Sequence, residues 1–129
     1  MKQRVRVLIA DDHPHSRRGL RVLLATSPEV EVVGEATNGQ QTLYLVEECQ
    51  PDVVLMDVRM PVLDGLEAAR IIKSRWPEVR VVLLTMHAAY QADARAAGAD
   101  GFLLKGCSTE NLLAAISSPR KPCHQVKIG

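Results

Sequence analysis

The chain alternates short apolar runs with segments in which apolar residues recur every three or four positions. Val53–Met56 and Val79–Leu84 are typical of strands buried on both faces, as in a parallel sheet. Other strands are predicted over residues 4–10, 30–36 and 101–104, and helices over residues 14–25 and 65–75. A helix with Leu43, Val46 and Cys49 inward is predicted after Asn38-Gly39, and a last helix from Ser108 or Thr109 to about Ser117. Strands that alternate with helices through short links predict an α/β fold, with a parallel sheet covered on both faces.

Carboxylates stand where two of these strands end. Asp57 follows Val53–Met56, and Asp11 with Asp12 follows the first strand. If the two strands are parallel neighbours, the three acids meet at one edge of the sheet, where open α/β sheets bind ligands. Like charges in a cleft raise each other's pKa values, so such a cluster is expected to hold a cation. Ligands that are all oxygen favour a hard ion such as Mg²⁺.

Two further strand ends carry polar groups. Thr85 follows the fourth apolar run, and Lys105 follows Phe102-Leu103-Leu104. A hydroxyl and an ammonium beside a metal-bound carboxylate suit the transfer of a phosphoryl group. Lys105 and the metal would balance charge on the phosphoryl oxygens, while Thr85 would donate a hydrogen bond. Asp57 would be the nucleophile that forms an acyl phosphate.

The residues at these strand ends occur within four separated motifs. They are Asp11-Asp12, the segment Met56-Asp57-Val58-Arg59-Met60-Pro61 with Asp64-Gly65, the pair Leu84-Thr85, and the run from Gly98 to Lys105. Together they resemble the receiver domain of response regulators in two-component signalling, over about residues 4–117. Asp-Asp-His-Pro at 11–14 and Leu-Thr-Met-His at 84–87 resemble the NarL/FixJ subfamily, whose members usually carry a LuxR-type DNA-binding domain after the receiver.

The resemblance implies a flavodoxin-like (βα)5 fold, with a doubly wound parallel sheet of strand order 2-1-3-4-5, and it assigns roles by position. Asp57 is the phosphoacceptor, which receives its phosphoryl group from a sensor histidine kinase. Asp12 binds Mg²⁺ directly, Asp11 binds it through water, and the backbone carbonyl of Arg59 completes the protein ligands. Lys105 pairs with a phosphoryl oxygen. Thr85 and Phe102 form the switch pair that moves on phosphorylation. The resemblance also implies weak homodimerisation on phosphorylation, and a domain with self-catalysed phosphotransfer rather than an enzyme.

Two segments depart from the family pattern. Residues 86–97 are about two residues shorter than the subfamily usually shows and lack large aliphatic side chains. Ala-rich sequence forms helices readily but buries little apolar surface, so a short, mobile or displaced fourth helix is predicted. Residues 1–118 are predicted to form the receiver domain, and residues 119–129 a disordered linker or tail. Neither segment contains a recognition helix, so the chain itself is not expected to bind DNA.

The composition sets limits on compartment and class. Three cysteines without a close pair argue for a reducing compartment, and no apolar run is long enough to span a membrane. A cytoplasmic protein is therefore expected. The net charge of +1 gives no reason to expect nucleic-acid binding by the bulk surface. The four histidines, His13, His15, His87 and His124, are interpreted as surface residues, although His13 and His87 could line the mouth of the acidic site.

Other interpretations stay open at this stage. Asp11 and Asp12 could be ordinary acids near a helix N-terminus, and Lys105 a solvated lysine. A docking module that works without phosphorylation is one alternative function. A phosphatase with an aspartyl nucleophile is another, but such enzymes usually need a second acid two residues later, where this chain has Arg59.

Overall fold

The computed structural model describes residues 4–117. Five strands alternate with five helices, and a three-residue 3₁₀ turn, Ala88–Tyr90, precedes the fourth helix. The strands are β1 (Val5–Ala10), β2 (Val30–Ala36), β3 (Val53–Met56), β4 (Arg80–Thr85) and β5 (Gly101–Leu104). The helices are α1 (Pro14–Leu24), α2 (Gly39–Cys49), α3 (Gly65–Arg75), α4 (Gln91–Ala96) and α5 (Thr109–Ser117). The predicted linker or tail, residues 119–129, lies outside the described residues.

The strands form one parallel sheet in the order β2-β1-β3-β4-β5. The predicted fold class and strand order are therefore confirmed. The strand order reverses direction between β1 and β3, so a crevice opens at their carboxyl ends. This is the edge of the sheet at which the acidic residues emerge.

Apolar residues cover the sheet on both faces. On one face, α1 and α5 pack Leu24, Leu112 and Ile116 against the outward side chains of the central strands. On the other face, α2 and α3 contribute Val46 and Ile72 to a second cluster. Because β3 is buried on both faces, its four residues are all apolar, as the sequence pattern predicts. This double cover fixes the central strands that carry the site.

Side-chain caps and a proline set several helix starts. Pro14 is the first residue of α1, where its fixed φ suits a helix and its missing N–H costs nothing. Asp64 caps α3 by accepting a 2.9 Å hydrogen bond from the Glu67 amide. The hydroxyl of Ser108 accepts one from the Asn111 amide at 3.0 Å, so Ser108 is the residue that caps α5. These caps begin α1, α3 and α5 close to the predicted residues.

The fourth helix is short, as predicted. It has six residues, and Ala94 is the residue that it buries. Ala97, just beyond its end, is also buried, and Tyr90 packs against the same cluster. Whether this region is mobile stays a prediction. None of the helices in residues 4–117 combines the length and apolar character that a membrane span needs.

Candidate functional site

The register of the sheet brings the predicted acids together. Ala10 of β1 pairs with Met56 of β3, so the next residue of each strand, Asp11 and Asp57, emerges at the same level. The Asp57 amide donates a 2.9 Å hydrogen bond to the Ala10 carbonyl, which continues the ladder one residue further. The two carboxylates are therefore positioned by the backbone of buried strands rather than by a loop.

Lys105 approaches the same point from β5. Thr85 pairs with Leu104, and the Lys105 amide donates to the Thr85 carbonyl at 2.7 Å, so both residues stand at the sheet edge. The Lys105 ammonium donates to Asp11 Oδ2 at 2.9 Å and to Asp57 Oδ2 at 3.0 Å. The Lys105 side chain is 15% exposed, and those of Asp11 and Asp57 are 1% and 7% exposed. One partly buried cation thus holds two buried carboxylates.

The pKa values of this pair reflect that arrangement. Burial by itself would raise the pKa of Asp11, but hydrogen bonds from the His13 amide and from Lys105 lower it below its ordinary value. Burial would likewise lower the pKa of Lys105, whereas hydrogen bonds to Asp11 and Asp57 raise it above its ordinary value. Both groups are therefore charged at neutral pH, which leaves Lys105 as a fixed positive charge beside Asp57.

Asp12 completes an acidic group that could hold a metal ion. Ligand atoms of Asp11, Asp12, His13 and Asp57 all lie within 4.8 Å of one another. The Oδ1 atom of Asp12 is buried and accepts no hydrogen bond from the described residues. A buried, unsatisfied carboxylate oxygen costs free energy unless a partner is supplied, and a divalent cation would be such a partner. The carboxylate oxygens of this group therefore fit a hard divalent ion.

The other predicted residues lie around this group in different ways. Thr85 is buried, and its hydroxyl accepts from the His87 amide at 3.4 Å. The Arg59 amide lies 3.4 Å from Asp57 Oδ1, so the loop after β3 folds back over the acceptor carboxylate. Phe102 is half-buried against the apolar cluster between the sheet and α2–α4. It lines a small cavity of about 190 Å³ beside α4 and not the cleft at Asp57.

An open cleft of about 820 Å³ leads to the acceptor carboxylate. Its polar side is lined by Asp12, Asp57, Thr85 and Lys105. Its apolar side includes Met86 and Tyr90, and the rings of His87 and Tyr90 meet edge to face at 6.2 Å between centroids. The cleft is thus wide enough for a donor group to reach Asp57 from solvent. His13 and His87 also line it, which was the alternative to the surface position that the sequence favours for both.

His13 is the residue that the sequence interpretation undervalued. Its side chain is 66% exposed, yet Nδ1 lies 3.1 Å from Asp12 Oδ1 and 3.4 Å from Asp11 Oδ1. Its position directly after two acids, before the proline that begins α1, was the available signal. The His13 amide donates to Asp11 Oδ1 at 2.9 Å. This hydrogen bond turns the chain just before α1 and holds the imidazole over the carboxylates.

Comparison with known proteins agrees with this geometry. The family described as "Response regulator receiver domain" matches residues 7–117. The chain is 38% identical over 117 residues to the transcriptional regulatory protein DegU of Brevibacillus brevis, covering 89% of this chain and 50% of that protein. It is also 38% identical over 112 residues to the nitrate/nitrite response regulator NarL of Escherichia coli K12, covering 85% and 52%. The chain spans about half the length of the curated relatives it matches.

Solved structures give the same result. The signal receiver domain of a NarL response regulator from Mycobacterium tuberculosis superposes with a TM-score of 0.83 at 37% identity, covering 91% of this chain and 99% of that one. A LuxR-family two-component response regulator from Aurantimonas superposes with a TM-score of 0.84 at 35% identity, covering 90% and 84%. Sheet order, site geometry, sequence and structural similarity agree, and the chain belongs to the response regulator receiver domain family, among regulators of the NarL and LuxR type.

Proposed function

We propose that this chain is a phosphorylation-controlled switch in which Asp57 accepts a phosphoryl group. The observation that carries the proposal is the convergence of the Lys105 ammonium on Asp11 and Asp57, at 2.9 and 3.0 Å, beside Asp12. Asp57 lies at the end of a cleft open to solvent, so a donor can approach it. An anion formed there would meet a fixed positive charge, which is what phosphoryl transfer requires.

In the transfer step, an oxygen of the Asp57 carboxylate attacks the phosphorus atom of a phosphohistidine on a sensor histidine kinase. The P–O bond to Asp57 forms, the P–N bond breaks, and the bond's electron pair leaves with the imidazole nitrogen. The product is an acyl phosphate. We assign Lys105 to a phosphoryl oxygen, because its ammonium already donates to Asp57 Oδ2 and can follow the new charge over a short distance.

A divalent cation, Mg²⁺ by preference of the oxygen donors, is assigned to Asp12, Asp57 and the Arg59 carbonyl, with Asp11 acting through water. When bound, it would supply charge neutralisation at the phosphoryl oxygens. The unsatisfied Oδ1 of Asp12 supports this assignment, because it is a buried acceptor in need of a partner. Slow hydrolysis of the acyl phosphate by water would return the domain to its unphosphorylated form. The domain would thus catalyse only the transfer and the loss of its own phosphoryl group.

Thr85 and Phe102 are assigned to the switch. The Thr85 hydroxyl lines the cleft at the end of β4, while Phe102 lies in β5 beside the cavity next to α4. A phosphoryl dianion on Asp57 would accept a hydrogen bond from the Thr85 hydroxyl, which favours movement of that hydroxyl toward it. The half-buried ring of Phe102 can then move into the space that this shift leaves. Phosphorylation would therefore shift the population of two arrangements of the β4–α4–β5 region.

The wider role follows from the relatives. Because the relatives named above are called transcriptional and nitrate/nitrite regulators, we propose that the chain controls transcription through a DNA-binding domain, with weak homodimerisation on phosphorylation. Residues 1–118 would be the receiver and residues 119–129 a linker or tail. A cytoplasmic location belongs to the same proposal, because the half-buried Cys49 and Cys107 are free thiols.

Intact mass spectrometry after incubation with a small phosphodonor tests this proposal. The wild-type chain is expected to gain one phosphoryl group with Mg²⁺ and none in a chelator. Asp57→Asn removes the nucleophile at nearly unchanged volume and should gain none. Asp52→Asn, a change of the other acid that flanks β3, should still be phosphorylated. A folded wild-type chain without an adduct, even with kinase, would favour the docking module instead.

A further inference from the structure

The side chain of His13 is exposed, yet its ring lies directly over the carboxylates of Asp11, Asp12 and Asp57. Its Nδ1 atom is 3.1 Å from Asp12 Oδ1, 3.4 Å from Asp11 Oδ1 and 3.9 Å from Asp57 Oδ2. The hydrogen bond from its own amide to Asp11 Oδ1 at 2.9 Å fixes the backbone at this point. One ring nitrogen thus approaches three carboxylates that come from the ends of two strands.

The contact of His13 Nδ1 with Asp11 Oδ1 at 3.4 Å is a long hydrogen bond when Nδ1 carries the proton, whereas the separations from Asp12 and Asp57 fit a shared metal ion. Around an octahedral ion with bonds of about 2.1 Å, neighbouring ligand atoms lie roughly 3.0 Å apart and opposite ones roughly 4.2 Å apart. The distances from His13 Nδ1 to the two carboxylates assigned as direct ligands, 3.1 Å to Asp12 Oδ1 and 3.9 Å to Asp57 Oδ2, fall in that range. The contact with Asp12 lacks hydrogen-bond geometry, and Asp12 Oδ1 is left unsatisfied in its buried position. An ion bound to both His13 Nδ1 and Asp12 Oδ1 would satisfy both atoms.

Lys105 reduces the number of oxygens that are left for an ion. It draws Oδ2 of Asp11 and Oδ2 of Asp57 toward its ammonium at 2.9 and 3.0 Å. The Oδ1 atoms of Asp11 and Asp12 are the ones nearest to His13. A cation at this point would therefore meet a nitrogen as well as oxygens, and nitrogen ligands suit first-row transition ions better than Mg²⁺.

We propose that His13 is a metal ligand through Nδ1, so that the cation site is a mixed nitrogen and oxygen site that prefers Mn²⁺ and Co²⁺ to Mg²⁺. The inference rests on the proposed function, because it concerns the same cation site. The exposed ring can keep its proton on Nε2, with water as the partner, which leaves Nδ1 free to bind the ion. The site would still accept Mg²⁺ through its carboxylates, but without a contribution from the imidazole.

Titration calorimetry of the full chain with Mg²⁺, Mn²⁺ and Co²⁺ tests the inference. The wild type is expected to bind Co²⁺ more tightly than Mn²⁺, and Mn²⁺ more tightly than Mg²⁺, because affinity for nitrogen donors increases in that direction. His13→Ala should weaken Co²⁺ binding by about tenfold or more, and change Mg²⁺ binding by less than about twofold. His15→Ala changes an exposed histidine in the first turn of α1; it is the matched control and should match the wild type for all three ions.

Pulsed electron paramagnetic resonance of the Mn²⁺ complex gives a second readout. A ¹⁴N coupling is expected in the wild type and in His87→Ala, whose ring lines the same cleft. The coupling should be lost in His13→Ala. Absence of a ¹⁴N coupling, or an equal loss of Mg²⁺ and Co²⁺ affinity in His13→Ala, would overturn the inference and leave the proposed function standing. Tighter binding of every ion in His13→Ala would also overturn it, because the imidazole would then be a competitor. If none of the ions binds, both proposals fail at this site.

Discussion

Gly65→Ala is expected to destabilise the fold by the upper part of the range of about 1–3 kcal/mol typical of overpacking, or by more. Gly65 is buried at the start of α3, and its amide donates to the Val58 carbonyl at 2.7 Å. An added Cβ would overlap the backbone carbonyl oxygen of Asp57 and lie 3.0 Å from the Val58 Cα. Because the obstructing atoms are backbone, no rotamer change can relieve the overlap. The start of α3 must therefore move away from the loop after β3.

Urea unfolding followed through Trp76, the single tryptophan, measures this effect. Gly19→Ala is the matched control, since nothing lies within 4 Å of the Cβ that it would add in α1. That variant should gain about 0.5–1 kcal/mol, because alanine favours a helix over glycine. The two identical substitutions should therefore change stability in opposite directions. Equal stability of Gly65→Ala and the wild type would show that the loop after β3 is not packed as described.

Lys105→Met is expected to slow phosphorylation by about 10²- to 10³-fold, the usual effect of removing one charge-stabilising donor. It should also destabilise the metal-free protein by about 3 kcal/mol, since the Asp11 and Asp57 carboxylates, 1% and 7% exposed, lose their common partner. A divalent cation would replace part of the missing positive charge. Added Mg²⁺ should therefore raise the melting temperature of Lys105→Met more than that of the wild type.

Lys73→Met is the control for this experiment. Lys73 is another half-buried lysine that binds an acid, Asp100 at 2.9 Å, and two backbone carbonyls, but it lies at the opposite end of the sheet. Its loss should lower stability without a larger response to Mg²⁺ and without slowing phosphorylation. If Lys105→Met accepts the phosphoryl group at the wild-type rate, the role assigned to Lys105 is wrong.

The fold and the carboxylate cluster could be predicted because burial leaves a strong pattern. A strand covered on both faces must be apolar throughout, so the first acid after Val53–Met56 marks its end. The same reasoning placed Asp11 after β1. Strand limits moved by a residue where pairing continued: β4 begins at Arg80, not Val79, and includes Thr85, which pairs with Leu104. Periodicity does not show where a hydrogen-bonded ladder stops.

Side-chain partners and local turns could not be predicted. The sequence interpretation related Lys105 to the phosphoryl group and not to Asp11, because which oxygen an ammonium contacts depends on rotamers that pattern does not encode. The loop after β3 contains Val62 at a φ of 72°, inside a three-residue turn that the Leu63 amide closes on the Pro61 carbonyl. A β-branched residue rarely adopts this conformation, so its sequence carried no signal for the turn. The position of His13 depends on the same kind of local backbone detail.

The phosphoacceptor is identified most directly by locating the phosphoryl group on the chain. After incubation with a small phosphodonor and Mg²⁺, borohydride reduces an aspartyl phosphate to homoserine, with release of phosphate, and tandem mass spectrometry then identifies the residue. We expect homoserine at position 57 and at neither Asp11 nor Asp12, with the conversion lost in a chelator. Conversion at another acid, or none in a folded chain that carries the adduct, would contradict the assignment of Asp57 as the phosphoacceptor.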